Sequence, residues 1–227
     1  KNISIDRLTN VGWPAAIHVI GKDILRFHAV YWPAMLISAG LDVPHKVYGH
    51  GFLTREGKKM GKSIGNVINP ERLLKLCGND QIRWYLLRDI EFGQDGDFQS
   101  KRFTDLINND LANTIGNMLN RTCSMSRKWF NNSVPDLPLN DINGTLLANY
   151  SMETITKVRN NYRLLNFKGV SEDILILARH VNVYLNEKAP WKLIKNKDGI
   201  DEVALIIYNA LETARIIGVL LMPILPN

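Results

Sequence analysis

Ile17-His18-Val19-Ile20-Gly21-Lys22-Asp23 reads as a short apolar strand that ends in a glycine turn and enters a helix. The strand is expected to be buried, and Asp23 to sit near the helix cap. Beyond it Ile24, Phe27, His28, Tyr31, Trp32 and Met35 recur at three- and four-residue steps, the spacing of one helix face. Pro33 predicts a kink or local irregularity, because proline has no backbone N–H to give. Lys46-Val47-Tyr48 reads as a second strand. Strand, turn, helix and strand make an α/β unit over the first part of the chain.

The second strand feeds Gly57-Lys58-Lys59-Met60-Gly61-Lys62-Ser63-Ile64-Gly65-Asn66-Val67. Glycines in this stretch let main chain approach a ligand closely, and lysines supply mobile charges of the kind that meets phosphate. The P-loop spacing of Gly-x4-Gly-Lys-Ser/Thr is absent. From the residues alone, a phosphate-handling loop and a solvated basic turn both remain open.

Asn69-Pro70-Glu71 is a helix start, with Asn69 as cap and Pro70 in the first turn. That helix carries Leu73, Leu74 and Leu76 and stops at Gly78; another begins after Asn79-Asp80 with Ile82, Tyr85 and Leu86. Glu91 to Ser100 reads as a loop, and Asp95-Gly96-Asp97 as a turn lacking the spacing of a calcium loop. From Lys101 every long segment has helical periodicity, broken at Pro135, Pro138 and Asn143-Gly144, which predicts an all-α bundle of four or five helices. Asn109, Asn113, Asn117 and Arg121 step along one helix face, while Ile107, Leu111 and Ile115 step along nearly the opposite one. The apolar face is expected to pack inward and the polar stripe to stay exposed.

A chain of 227 residues can bury a sizeable core, and 45% hydrophobic with 22% charged residues is a globular composition. The net charge of +6 leans toward a polyanionic partner. Cys77 and Cys123 stand alone, which predicts reduced thiols and no zinc site in this segment. The apolar run Ile216 to Leu221 is too short to span a bilayer, and no signal peptide opens the chain. The first residue is not Met and both ends look cut, so a piece of a longer protein is expected.

Gly57-Lys58-Lys59-Met60-Gly61-Lys62-Ser63-x-Gly65-Asn66-Val67 resembles the KMSKS loop of class I aminoacyl-tRNA synthetases, with Gly61 in place of the middle serine. Gly21-Lys22-Asp23-Ile24, Phe27-His28, Tyr31-Trp32-Pro33-Ala34, Gly40-Leu41 and His50-Gly51 are similar to the methionyl enzymes in particular. So are Gly93-x-Asp95-Gly96-Asp97-Phe98, Asp110-Leu111-Ala112-Asn113, Gly116-Asn117-x-x-Asn120-Arg121 and Ala189-Pro190-Trp191. Cysteinyl or leucyl enzymes, and a stand-alone tRNA-binding module, are the alternatives.

This resemblance implies the C-terminal part of a Rossmann-like catalytic domain (1–55), a KMSKS and stem-contact region (56–100) and an all-α anticodon-binding domain (101–227). It implies a methionine pocket at Ile24, His28 and Trp32, and an ATP or adenylate site at Gly21, Asp23, His50, Leu53, Lys59 and Lys62. Lys59 and Lys62 are the catalytic pair, and Asn117, Arg121 and Trp191 the anticodon contacts. Methionine, ATP with Mg²⁺, and tRNA(Met) are the implied substrates, with no membrane partner. The HIGH-type motif that such enzymes also need is not present, so the chain alone is expected to be inactive. The implied location is cytoplasmic, or plastid or mitochondrial where a transit peptide precedes it.

Overall fold

The computed structural model describes residues 12–136, 146–196 and 199–226. Two compact units emerge, one formed by residues 1–67 with 91–98 and the other by 68–90 with 99–227.

In the first unit, β1 (Ile17–Gly21) and β2 (Lys46–His50) pair in parallel, with Ile17 opposite Lys46 and Gly21 opposite His50. Between them the chain forms a short 3₁₀ turn (Lys22–Ile24), a π-helical turn (Phe27–Tyr31) and helix α1 (Trp32–Ser38). Pro33 lies in the first turn of α1, where its missing N–H leaves no α-helical bond unmade. The irregularity expected at Pro33 is thus the π turn just before it. Asp23 makes no cap: Gly21 holds that position, and no side chain closes the turn. The expected burial of β1 also fails, since Ile17 is 42% and Val19 55% exposed. Among the described residues β1 has a neighbour on one edge alone, and apolar composition buries a strand only where something covers its faces.

A second small sheet runs β4 (Lys58–Lys59), β3 (Leu53–Arg55), β5 (Gly96–Phe98), with β3 antiparallel to β4 and parallel to β5. The Asp95-Gly96-Asp97 stretch is therefore largely strand where the sequence suggested a turn. A β3 neighbour at this position accounts for the change.

The second unit is helical. α2 (Pro70–Cys77) starts as expected, Asn69 Oδ1 accepting the Arg72 N–H at 3.0 Å, and gives way at Gly78 (φ 81°) to α3 (Asn79–Asp89). α4 (Ser100–Leu106) continues through a π-helical stretch, Ile107–Gly116, into α5 (Asn117–Trp129). α6 (Leu146–Arg163), α7 (Phe167–Lys188), the single turn α8 (Pro190–Leu193) and α9 (Ile200–Leu221) follow. Pro138 and Asn143-Gly144 lie outside the described residues.

Helix α7 is the axis of this unit. Val170, Ile174, Leu175, Leu177, Ala178, Val181 and Leu185 are all fully buried, and α3, α5, α6, α9 and the π stretch pack around them. Ile107, Leu111 and Ile115 lean on the same core, as their spacing predicts. α9 is long and apolar enough to cross a membrane by length and composition. In the fold it buries Val203, Ile206, Ile207, Ala210 and Ile217 against α5, α6 and α7, the behaviour of a core helix.

Candidate functional site

The π turn and α1 present a cavity of about 460 Å³, lined by His18, Phe27, His28, Tyr31, Trp32 and Met35. A π turn widens helical spacing, so Phe27, His28, Tyr31 and Trp32 crowd one side. Phe27 meets Tyr31 edge-on with centroids 5.5 Å apart, and Trp13 meets Trp32 at 6.1 Å. His28 Nδ1 lies 3.0 Å from the Ile24 carbonyl, which can only accept, so Nδ1 carries the proton. A neutral His28 then offers Nε2 as an acceptor. His18 stands 6.1 Å away, ring edge to ring face. Of the three residues expected at a methionine pocket, His28 and Trp32 line this cavity, and Ile24 contributes its carbonyl to His28.

Gly21 and His50 are direct partners at the C-terminal ends of two parallel strands, where α/β folds receive ligands. A Cβ on Gly21 would fall 2.6 Å from Asp23 Oδ1, so the bare glycine is what lets that carboxylate fold back over the strand end. Lys22 Nζ pairs with Asp95 at 2.6 Å and sits over the Phe52 ring at 5.0 Å. Asp95 also accepts the Phe52 N–H at 2.7 Å, and these two contacts, Lys22 first, hold its carboxyl below the ordinary range. Asp95 thereby helps shape a second cleft of about 580 Å³, with Phe52, Leu53, Thr54, Lys59 and Met60. Leu53 and Lys59 are brought together here from adjacent strands.

The lysine stretch is more ordered than a flexible loop. Glu56 (φ 50°) and Gly57 (φ 74°) form a two-residue turn with positive φ at both positions, joining β3 to β4 as a tight hairpin. Asp97 Oδ1 accepts the Gly57 N–H at 2.9 Å and the Thr54 hydroxyl at 2.7 Å, pinning the hairpin to β5. Beyond Lys59, Asn66 folds back: its Oδ1 accepts the Gly61 N–H at 2.9 Å and its Nδ2 donates to the Lys59 carbonyl at 3.0 Å. Lys59 and Lys62 keep exposed ammonium groups while the main chain between them is held.

In the helical unit, Arg121 on α5 lies with its guanidinium 5.5 Å from the Trp191 ring centre, a cation–π contact. Arg121, Ser124, Met125, Lys128, Trp129 and Trp191 line a recess of about 320 Å³. Asn109, Asn113 and Asn117 are exposed along the same rod, as their spacing predicts. Ala189 holds the left-handed conformation (φ 42°) that turns the chain from α7 into Pro190 and Trp191.

The family described as tRNA synthetases class I (M) matches residues 11–123. A methionine–tRNA ligase of Nostoc sp. is 46% identical, over 95% of this chain and 41% of that protein. The methionine–tRNA ligase, chloroplastic/mitochondrial, of Arabidopsis thaliana is 43% identical, over 100% of this chain and 37% of that protein. Among solved structures, Mycobacterium tuberculosis methionyl-tRNA synthetase in complex with methionyl-adenylate superposes with a TM-score of 0.88 at 36% identity, covering 98% of this chain and 46% of that one. The chain belongs to the methionyl-tRNA synthetases of class I. It spans about two-fifths of the length of the curated relatives it matches.

Within this synthetase chain, sequence reasoning found the cavity's two central residues but passed over His18, Tyr31 and Met35 as lining groups. It gave no task to Lys22, Asn66, Asp95 or Asp97, whose bonds shape the cleft and the hairpin. The pairing of Asp97 with Gly57 spans 40 positions, and nothing in the local pattern announces it. Asn182 and Asn186, one turn apart on α7, were also missed. Their i, i+4 spacing matches that of Asn117 and Arg121, and that match was the available signal.

Proposed function

We propose that this chain is the part of a methionine–tRNA ligase that carries the methionine-pocket helix, the KMSKS-like hairpin and the anticodon reader. The observation that supports it best is the likeness, at 36% identity and TM-score 0.88, to a synthetase solved with methionyl-adenylate. Residues 1–55 are the end of a Rossmann-like catalytic domain, 56–100 the hairpin and stem-contact region, and 101–227 the anticodon-binding domain. The exposed apolar side chains of β1 and α1 suit a surface on which the rest of such a catalytic domain packs.

In the proposed reaction a methionine carboxylate oxygen attacks the α-phosphorus of ATP, the bond to the β-phosphate oxygen breaks, and pyrophosphate leaves with the electron pair. The tRNA 3′-terminal hydroxyl then attacks the carbonyl carbon, and AMP departs. Ile24, His28 and Trp32 receive methionine, whose thioether packs well against aromatic edges. Gly21, Asp23, His50 and Leu53 surround the adenylate, Asp23 accepting from the ribose hydroxyls. Lys59 and Lys62 lower the barrier by meeting charge that grows on the leaving pyrophosphate, without moving a proton. Mg²⁺ enters with ATP as part of the substrate. Asn117, Arg121 and Trp191 read the CAU anticodon of tRNA(Met). The location is cytoplasmic, or an organelle for a plant-type enzyme, and the chain by itself is inactive.

In the complete enzyme, Lys62→Ala is expected to slow methionyl-adenylate formation by about 10²–10³-fold with methionine affinity nearly unchanged. Pyrophosphate exchange at saturating methionine measures it. An unaltered rate removes the catalytic assignment.

A further inference from the structure

Two side chains on α7 touch the polar stripe of α5 rung by rung. Asn186 Oδ1 accepts from the Arg121 guanidinium at 2.7 Å. One turn earlier, Asn182 Oδ1 lies 3.5 Å from the Asn117 amide nitrogen, while Asn182 Nδ2 donates to the Thr114 carbonyl at 3.2 Å. Both rungs begin where the π stretch ends. Thr114 lies inside that stretch, and its hydroxyl donates to the Asn109 carbonyl five residues back at 2.8 Å. The Thr114 carbonyl accepts the Asn117 backbone N–H at the end of that stretch, and the Asn182 amide adds a second bond to it. On the other side Arg121 meets Trp191, aimed by the left-handed Ala189. A non-glycine residue in that conformation costs energy that surrounding packing must supply, a feature that collects at working sites.

The chemistry of the two rungs is selective. An amide oxygen fixes a guanidinium by hydrogen bonding without cancelling its charge. A carboxylate at the same place would orient Arg121 equally well but neutralise it against an anionic ligand. An arginine has five N–H donors in a planar fork. With one donor turned toward Asn186 and the guanidinium over Trp191, Arg121 lines the recess together with Ser124 and Lys128. Holding a side chain in its binding geometry removes the entropy cost of ordering it later.

We propose that Asn182 and Asn186 are positioning residues for base discrimination: they hold Asn117 and Arg121 in the orientation that reads an unpaired RNA base, and they do so while keeping the site's positive charge. This inference rests on the reading of Asn117, Arg121 and Trp191 as the anticodon contacts.

Binding of the 227-residue chain to an RNA hairpin with a CAU loop, beside hairpins with one loop base changed, tests it across a salt series. The wild-type chain is expected to prefer CAU by tenfold or more, roughly the discrimination one good base contact provides. Asn186→Ala is expected to lose about tenfold of that preference while its thermal midpoint stays near that of the wild type. Asn186→Asp is expected to keep the preference but bind both hairpins more weakly, with a salt slope smaller by about one phosphate contact. Asn182→Ala is expected to act like Asn186→Ala, more mildly. Unchanged preference in Asn186→Ala overturns the positioning role and leaves the anticodon reading standing. Equal wild-type binding to all hairpins overturns both. A lowered thermal midpoint with unchanged preference marks Asn186 as structural alone and also overturns the proposal.

Discussion

At the scale of single residues, the lysine hairpin shows how a substitution with a loosening reputation can be harmless. Gly61 stands where the family's motif has serine, and the sequence alone suggests a slacker loop. Its backbone is extended (φ −151°, ψ 138°), a conformation any residue adopts. An added Cβ would meet its nearest neighbour, Ile64 Cδ1, at an ordinary 3.4 Å. What holds the segment is Asn66, through its bonds to the Gly61 N–H and the Lys59 carbonyl. Asn66→Ala therefore removes two bonds, at a net cost of about 1 kcal/mol or slightly more in this half-exposed setting. Gly61→Ser narrows the unfolded ensemble and stabilises by up to about 1 kcal/mol. Tryptic cleavage after Lys58, Lys59 and Lys62 follows the population of the open segment. It should run about fivefold faster in Asn66→Ala and no faster in Gly61→Ser. Equal cleavage in wild type and Asn66→Ala would show that the clasp contributes nothing.

At the scale of elements, the rod from Ser100 to Trp129 was legible on its outside and hidden on its inside. Steps of four keep Ile107, Leu111 and Ile115 on one face whether the turns are α or π, so periodicity found the buried side without detecting the π stretch. The change of winding leaves one trace, at Gly116: a Cβ there would fall 2.9 Å from the Leu111 carbonyl, and only glycine fits without a shift. Asp110 is 6% exposed, and no local pattern could say so, because its partners come from α3. Trp84 Nε1 donates to its carboxylate at 3.3 Å, and Arg88 Nε lies 3.4 Å away, close enough for an ion pair though not aligned as a hydrogen bond. Arg88 reaches on to Glu172 of α7 at 2.6 Å. Trp84 and Arg88 are one turn apart on α3, so a single helix face delivers both to Asp110. Removing one member of a buried pair strands the other's charge, which costs about 3–5 kcal/mol. Asp110→Ala is expected near the low end, since Glu172 stays within reach of Arg88. Urea unfolding of the chain measures it, and a loss under about 1 kcal/mol would mean that the pair behaves as a surface one.

Over the whole molecule, the two units carry very different cores. Leu36 and Phe98 are the buried hydrophobic residues described in the first unit, and every other one belongs to the helical unit. Sequence hydrophobicity did not foresee this, because Ile17, Val19, Phe27 and Met35 are as apolar as any core residue and yet exposed. Burial is a property of what lies opposite, and the sequence pattern reports only which side chains would accept it. The helical unit also gathers the tyrosines whose ionisation burial opposes. Tyr162, whose hydroxyl donates to the Leu220 carbonyl at 2.8 Å, is pushed up to about 12, and burial raises Tyr85 and Tyr184 as well. An unfolded chain releases its tyrosine protons near pH 10, whereas the folded unit retains them. The unfolded state then binds fewer protons, so stability is fully present below about pH 10 and declines as pH rises toward the folded values. Helical circular dichroism during urea unfolding should give a nearly constant stability from pH 8 to 9 and a steady fall between about pH 10 and 12. Tyr162→Phe, which forfeits the bond to Leu220, is expected to be about 1 kcal/mol less stable at pH 8 and to lose less over the alkaline range. Parallel curves for variant and wild type would remove Tyr162 as a source of the alkaline sensitivity and leave it to the other buried tyrosines, Tyr85 and Tyr184.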